Sequence, residues 1–190
     1  MKNNHEPVET NRRGFLKRIS AVMAVLLGGG TLFLRAVRGA QPERTVWQID
    51  PLKCNQCGRC ADNCVQAQSA VRCVHQYELC GYCKLCFGYF RQGAPSLTED
   101  AENQNCPTGA LTRKLVEEPY YEYTINEELC IGCGKCIKGC TAFGNGSLFL
   151  QVRQEYCLKC NQCSIALHCP ADAFRRIPEK SPYIIKRCHE

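Results

Sequence analysis

Apolar residues run together at length only once in this chain, near its amino terminus, and elsewhere they come in bursts of about five. The long run covers Ile19 to Leu34 and is broken by Gly28-Gly29-Gly30, which leaves it short for a bilayer-spanning helix. Four later bursts are rich in β-branched and aromatic residues, the composition of short half-buried strands. They are Val46-Trp47-Gln48-Ile49-Asp50, Val71-Arg72-Cys73-Val74, Tyr121-Glu122-Tyr123-Thr124-Ile125 and Leu148-Phe149-Leu150-Gln151-Val152. A stretch dense in cysteine follows each burst. In the first and third of these stretches, three residues separate the last two cysteines, room for about one helical turn. The pattern predicts strand, cysteine loop and short helix, four times over.

Composition explains why the apolar bursts are so brief. Among 190 residues, 18 are cysteine, and without them the supply of core-forming side chains is thin. Sixteen of the eighteen fall into four arrays. The first is Cys54-x2-Cys57-x2-Cys60-x3-Cys64. The second is Cys80-x2-Cys83-x2-Cys86 with Cys106-Pro107 further on. The third is Cys130-x2-Cys133-x2-Cys136-x3-Cys140, and the fourth is Cys157-x2-Cys160-x2-Cys163 with Cys169-Pro170. Such a loop wraps three thiolates and several backbone amides around one face of an iron–sulfur cube, and a remote cysteine closes the fourth iron. Gly58, Gly81, Gly132 and Gly134 let the backbone approach closely. A disulfide framework gives no reason for three thiols at one spacing four times over. Structural zinc takes two Cys-x2-Cys pairs rather than a triplet with a distant partner. Both alternatives are colourless, whereas iron–sulfur clusters are brown.

Formal net charge is +6. Residues 1–39 hold seven of the 24 Lys and Arg but only two of the 18 Asp and Glu, which leaves 17 basic against 16 acidic residues in the body. A body without a basic stripe offers a phosphate backbone little to grip, so nucleic-acid binding is excluded. The basic leader, Asn11-Arg12-Arg13-Gly14-Phe15-Leu16-Lys17 ahead of the apolar run, resembles a twin-arginine signal. Asn11 stands where that pattern usually has Ser or Thr. Val37-Arg38-Gly39 is a passable cleavage site, and an uncleaved anchor is the alternative. The resemblance implies a periplasmic location, possible membrane association, and export after folding with a cofactor installed.

From residue 45 to 178 the arrays resemble the bacterial two-cluster ferredoxins, whose run is Cys-x2-Cys-x2-Cys-x3-Cys-Pro. Val65 and Thr141 replace the proline after Cys64 and Cys140, and the second and fourth arrays carry insertions. The resemblance implies an α+β fold of two tandem ferredoxin-like units, 40–117 and 118–190 behind a leader at 1–39, with the boundary near Glu117-Glu118-Pro119. It implies four [4Fe-4S] clusters. With adjacent arrays paired, the ligand sets are Cys54, Cys57, Cys60 with Cys106, and Cys80, Cys83, Cys86 with Cys64. The second half follows with Cys130, Cys133, Cys136 and Cys169, then Cys157, Cys160, Cys163 and Cys140. The alternative is a nested pairing of first array with fourth and second with third, as in the iron–sulfur subunits of molybdenum oxidoreductases. Together, leader and arrays are similar to the exported ferredoxin-type proteins of periplasmic nitrate reduction and methylamine oxidation.

The other features are less specific. Cys73 and Cys188 lie outside the arrays and are expected to be ordinary thiols, with a disulfide between them as the alternative. Phe87 to Asn105 is the longest insert and carries Glu99, Asp100 and Glu102, so a solvated loop is expected in preference to a partner-docking lid. His75, His168 and His189 have no ligand spacing. The aromatics Phe87, Tyr89, Phe90, Tyr120, Tyr121 and Tyr123 are expected to shield clusters from water.

The sequence therefore predicts an electron-transfer protein without catalytic residues. Four cysteines per cluster leave no open iron, and no nucleophile–base pair or phosphate loop is present. Expected partners are a catalytic oxidoreductase subunit and a membrane quinone-linked or cytochrome subunit; a freely diffusing periplasmic polyferredoxin is the alternative. Clusters contribute about −2 each with their thiolates. The loaded body is then anionic, which predicts docking to a basic partner.

Overall fold

The computed structural model describes residues 43–186 together with Leu16, Ile19, Ser20 and Met23. Those four are helical. Two compact units divide the chain, Met1–Glu43 and Arg44–Glu190. Arg12, Arg13, the candidate cleavage site at 37–39, Cys188 and His189 lie outside the described residues. Among the described residues no helix is long and apolar enough to cross a membrane.

Six strands build the second unit: β1 (Thr45–Ile49), β2 (Val71–His75), β3 (Leu111–Glu117), β4 (Tyr120–Ile125), β5 (Leu148–Val152) and β6 (Phe174–Pro178). They pair as three antiparallel ribbons, β1 with β6, β2 with β5 and β3 with β4. Ile49 lies opposite Phe174, Cys73 opposite Leu150, and Leu111 opposite Ile125. All four bursts of the sequence are strands, and β3 and β6 are additional. β3, Leu-Thr-Arg-Lys-Leu-Val-Glu, carries three charged residues and is mostly exposed, so it lacks the apolar signature of its neighbours. Three short helices lie in the cysteine segments: α1 (Arg59–Asp62), α2 (Lys135–Phe143) and α3 (Ser164–Leu167). In the second array the only helical turn is the 3-10 turn at Tyr77–Leu79, which precedes its cysteines.

The expected division at residue 117 is not the way the strands pair. β1 and β2 from the first half pair with β6 and β5 from the second, so the outer strands enclose the inner segment. Glu118-Pro119, the expected boundary, is the turn of the β3–β4 hairpin. Charge and proline there mark a turn rather than a linker.

Gln48 ties two of the ribbons together. Its side chain is fully buried. The amide accepts from Val152 N at 2.7 Å and from Ile49 N at 2.9 Å, and donates to Val152 O at 3.1 Å and Pro182 O at 2.8 Å. A polar side chain is tolerated there because it is satisfied on every side. Around it the core is small and includes Ile49, Val71, Tyr89, Leu111, Tyr123 and Leu150, with Cys60, Cys130, Cys136 and Cys140 buried among them.

The long insert is more than a solvated loop. Tyr89, Phe90 and Asn103 are buried, and the two arms are joined by Arg91 N to Asn103 O at 2.8 Å and Asn105 N to Tyr89 O at 2.7 Å. Arg91 to Gly93 and the tip with Glu99, Asp100 and Glu102 are exposed.

Candidate metal centre

Each array makes the same local backbone move. The residue just before the second cysteine has positive φ in all four: Gln56 at 53°, Tyr82 at 49°, Gly132 at 71° and Lys159 at 54°. Three of these are not glycine, and the left-handed region costs a side-chain-bearing residue about 1–2 kcal/mol. That conformation turns successive N–H groups inward, forming the concavity in which anions and iron–sulfur clusters sit. Consistent with this, the N–H groups of Gln56, Gly132 and Lys159 donate toward the sulfur of the first cysteine in their own arrays. Lys159 N lies 3.4 Å from Cys157 Sγ. One conformation repeated at one position in four arrays, strained in three of them, marks a functional constraint rather than a chance of folding.

Remote cysteines reach the arrays through the strand pairing. Cys169 is close enough to Cys54 and Cys60 for its charge to raise their pKa, and Cys64 acts in the same way on Cys157. A pocket joins Cys64 to Cys157, Cys160 and Cys163, and another joins Cys140 to Cys80, Cys83 and Cys86. Cys106 lies beside Cys133. The structure thus brings Cys169 to the first array, Cys64 to the fourth, Cys140 to the second, and Cys106 to Cys133 of the third. Adjacent pairing assigned every remote cysteine to a different triplet. The proximities match the nested alternative, because β1–β6 and β2–β5 bring the first array toward the fourth. Among the described residues, no three His, Cys, Asp or Glu side chains converge on one metal ion. A cubane needs less convergence, since each thiolate meets its own iron.

The two groups meet at a pair of glycines. A Cβ on Gly58, in the first array, would lie 2.9 Å from Cys133 O, and a Cβ on Gly134, in the third, 3.2 Å from Gln56 O. Both have positive φ, 84° and 76°. Glycine is required there twice over, for conformation and for the close approach. Gly132 is equally confined, with Val71 O 2.6 Å from where a Cβ would stand, whereas Gly81 has no positive φ and an open neighbourhood beyond Cys83 Sγ.

Burial dominates the thiols' acidity. It pushes Cys60 up to about 12 and Cys86 up to about 11, and it raises Cys54, Cys130, Cys133 and Cys157 as well. Thiols of that kind stay protonated at neutral pH until a metal takes the proton's place. All seventeen described cysteines are free. The donor set therefore fits iron–sulfur clusters in kind, number and backbone surround.

Cys73 is the free thiol expected from the sequence, but its place beside the third array was not foreseen. It is buried in β2 with its sulfur 3.5 Å from Cys136 Sγ, and its N–H donates to Cys130 Sγ at 3.2 Å. Burial and these neighbouring thiols raise its pKa. No spacing rule signals such a residue, because its relation to the third array exists only across strands. Of the aromatics, Tyr123 is buried beside Cys83 and Cys86 and donates its hydroxyl to Lys84 O at 3.1 Å, with Tyr89 packed at 5.5 Å. Tyr120 is exposed and shields nothing. His75 stacks on Tyr77 at 4.2 Å, and His168 has a ring nitrogen 2.8 Å from Ser164 O.

Comparison with known proteins gives one distant likeness. The chain is 26% identical over 138 residues to the "Protein NrfC homolog" of Haemophilus influenzae, with 68% of this chain and 59% of that protein covered. It thus spans less than two thirds of that relative's length. No protein-family model matches the chain, and no solved structure matches it.

Proposed function

We propose that this chain is an iron–sulfur electron-transfer protein with four [4Fe-4S] clusters, the electron-carrying subunit or partner of a periplasmic or membrane-linked oxidoreductase. The observation that carries this reading is the left-handed residue repeated before the second cysteine of every array, with a fourth thiol brought to each triplet. The likeness to the NrfC homolog supports the same ferredoxin-like iron–sulfur placement. When bound, such clusters supply reversible one-electron storage.

The chain's own residues bind, orient and seal. Sixteen thiolates would hold the clusters, in the nested sets given above, and inward N–H groups would stabilise the charge on sulfur. Tyr123, with Tyr89 packed on it, covers the side of the second array that carries Cys83 and Cys86. The Gly58–Gly134 contact sets the first and third arrays side by side, which orders the relay as fourth, first, third and second array. The twin-arginine leader supports assembly before export.

Anaerobic purification followed by chemical analysis tests the reading. About sixteen iron and sixteen acid-labile sulfide per chain are expected, with about four electrons taken up in a reductive titration. A colourless protein with zinc or disulfides in their place would overturn it.

A further inference from the structure

The second-array end of the relay lies beneath an unusual surface. α2 carries Cys136 and Cys140 on its buried side and Lys138, Ala142 and Phe143 on its exposed side. Phe143 packs on Phe87, the neighbour of Cys86, with ring centroids 5.3 Å apart. Between them runs a groove of about 440 Å³ lined by Phe87, Arg91, Asn105, Lys135, Lys138 and Phe143, among others. Three of these residues are cations. Among the described residues no Asp or Glu lines the groove, and none of the three cations belongs to an ion pair. The exposed carboxylates Glu99, Asp100 and Glu102 are not part of the lining.

This surface is firmly built. Gly139 packs on Phe87 O so closely that no side chain fits there, and Asn105 Nδ2 donates to Lys135 O at 2.9 Å. An α-helix with its side chains is only about 10–12 Å across, so a partner resting on the outer side of α2 is one helix thickness from the thiolates. Unpaired cations around the exposed Phe143 ring and the half-buried Phe87 ring fit a protein that presents carboxylates around an apolar centre.

We propose that the face formed by Phe87, Arg91, Lys138 and Phe143 is the docking surface for an acidic one-electron redox protein, which exchanges electrons with the centre of Cys80, Cys83, Cys86 and Cys140. One electron passes per encounter and no bond is made or broken. The proposal rests on the iron–sulfur reading and adds a polarity to it: the cluster-loaded body as a whole is anionic, while this end of the relay is locally cationic and selects a partner of opposite charge.

The test uses the full cluster-loaded chain, reduced with dithionite and mixed anaerobically in a stopped-flow instrument with two haem probes, acidic cytochrome b5 and basic cytochrome c. Iron and sulfide analysis comes first; their absence would sink the iron–sulfur reading and this proposal with it. With clusters present, Arg91→Glu/Lys138→Glu is expected to slow reduction of cytochrome b5 about tenfold at low ionic strength without slowing that of cytochrome c. The difference should vanish near 1 M salt, where screening reaches about 3 Å. A change of cluster potential would move both rates in one direction, so opposite responses isolate docking. Lys138→Gln, a milder change, should give a smaller effect of the same sign, and Lys180→Glu, outside the groove, should give none. If both probes respond equally, or Lys180→Glu matters as much, the docking surface is refuted while the relay survives.

Discussion

The sulfur atoms of Cys73 and Cys136 lie 3.5 Å apart in the core between β2 and α2. Cys136 belongs to a repeated array and Cys73 does not, yet β2 offers the third array both a thiol and the Cys73 N–H, 3.2 Å from Cys130 Sγ. A donor beside a ligand sulfur favours the more negative, reduced state. Cys73→Ala should therefore leave the iron content unchanged and lower the midpoint potential of one cluster. The shift should correspond to about fivefold in its redox equilibrium, as for one hydrogen bond. Cys73→Ser should keep most of the donor's effect. Potentiometry followed by electron paramagnetic resonance reads the change; loss of about four irons would instead make Cys73 a ligand.

The nested grouping is tested by alkylation. In Cys169→Ala, the first array should lose its fourth ligand, so Cys54, Cys57 and Cys60 should react with iodoacetamide while Cys130, Cys133 and Cys136 stay protected. Cys106→Ala should give the converse. Mass spectrometry of the labelled peptides decides, and the opposite pattern would restore adjacent pairing.

The cysteine arrays and the strands β1, β2, β4 and β5 were legible because each is a local pattern of residue type and spacing. β6 was not, since Phe174-Arg175-Arg176-Ile177-Pro178 carries two arginines and a proline in five residues. Its edge position and its partner β1 make it a strand. Which remote cysteine serves which triplet was illegible for a related reason. Cys106 and Cys169 share a Cys-Pro context, and only the pairing of β1 with β6 across the whole chain separates their destinations. Left-handed Gln56, Tyr82 and Lys159 were likewise hidden, because none is a residue type that advertises positive φ.

Gly58 and Gly93 both have positive φ, but nothing lies within 4 Å of a Cβ at Gly93, whereas Cys133 O is 2.9 Å from one at Gly58. Gly93→Ala should cost only the conformational penalty, about 1–2 kcal/mol. Gly58→Ala should cost more, because backbone must move at the junction of two arrays. In thermal melts of the cluster-loaded protein, each kcal/mol appears as about 2–4 °C. Equal losses would remove the junction's importance.

Gln48→Leu keeps the volume of a fully buried side chain but strands the N–H of Val152 and leaves its C=O only the longer bond from Gln154 Nε2 at 3.3 Å. A loss of about 2–4 kcal/mol is expected from unsatisfied buried groups, read as a lower denaturant midpoint. An unchanged midpoint would show that the ribbons hold together without this clamp.

The proposed function requires that these thiols hold redox-active cubanes and pass single electrons among them. Its most direct test is the electron paramagnetic resonance spectrum of the anaerobically purified chain after dithionite reduction. Fast-relaxing, mutually broadened signals that integrate to several spins per chain are expected, as neighbouring reduced [4Fe-4S] clusters give. A diamagnetic spectrum from protein that still binds metal would contradict it.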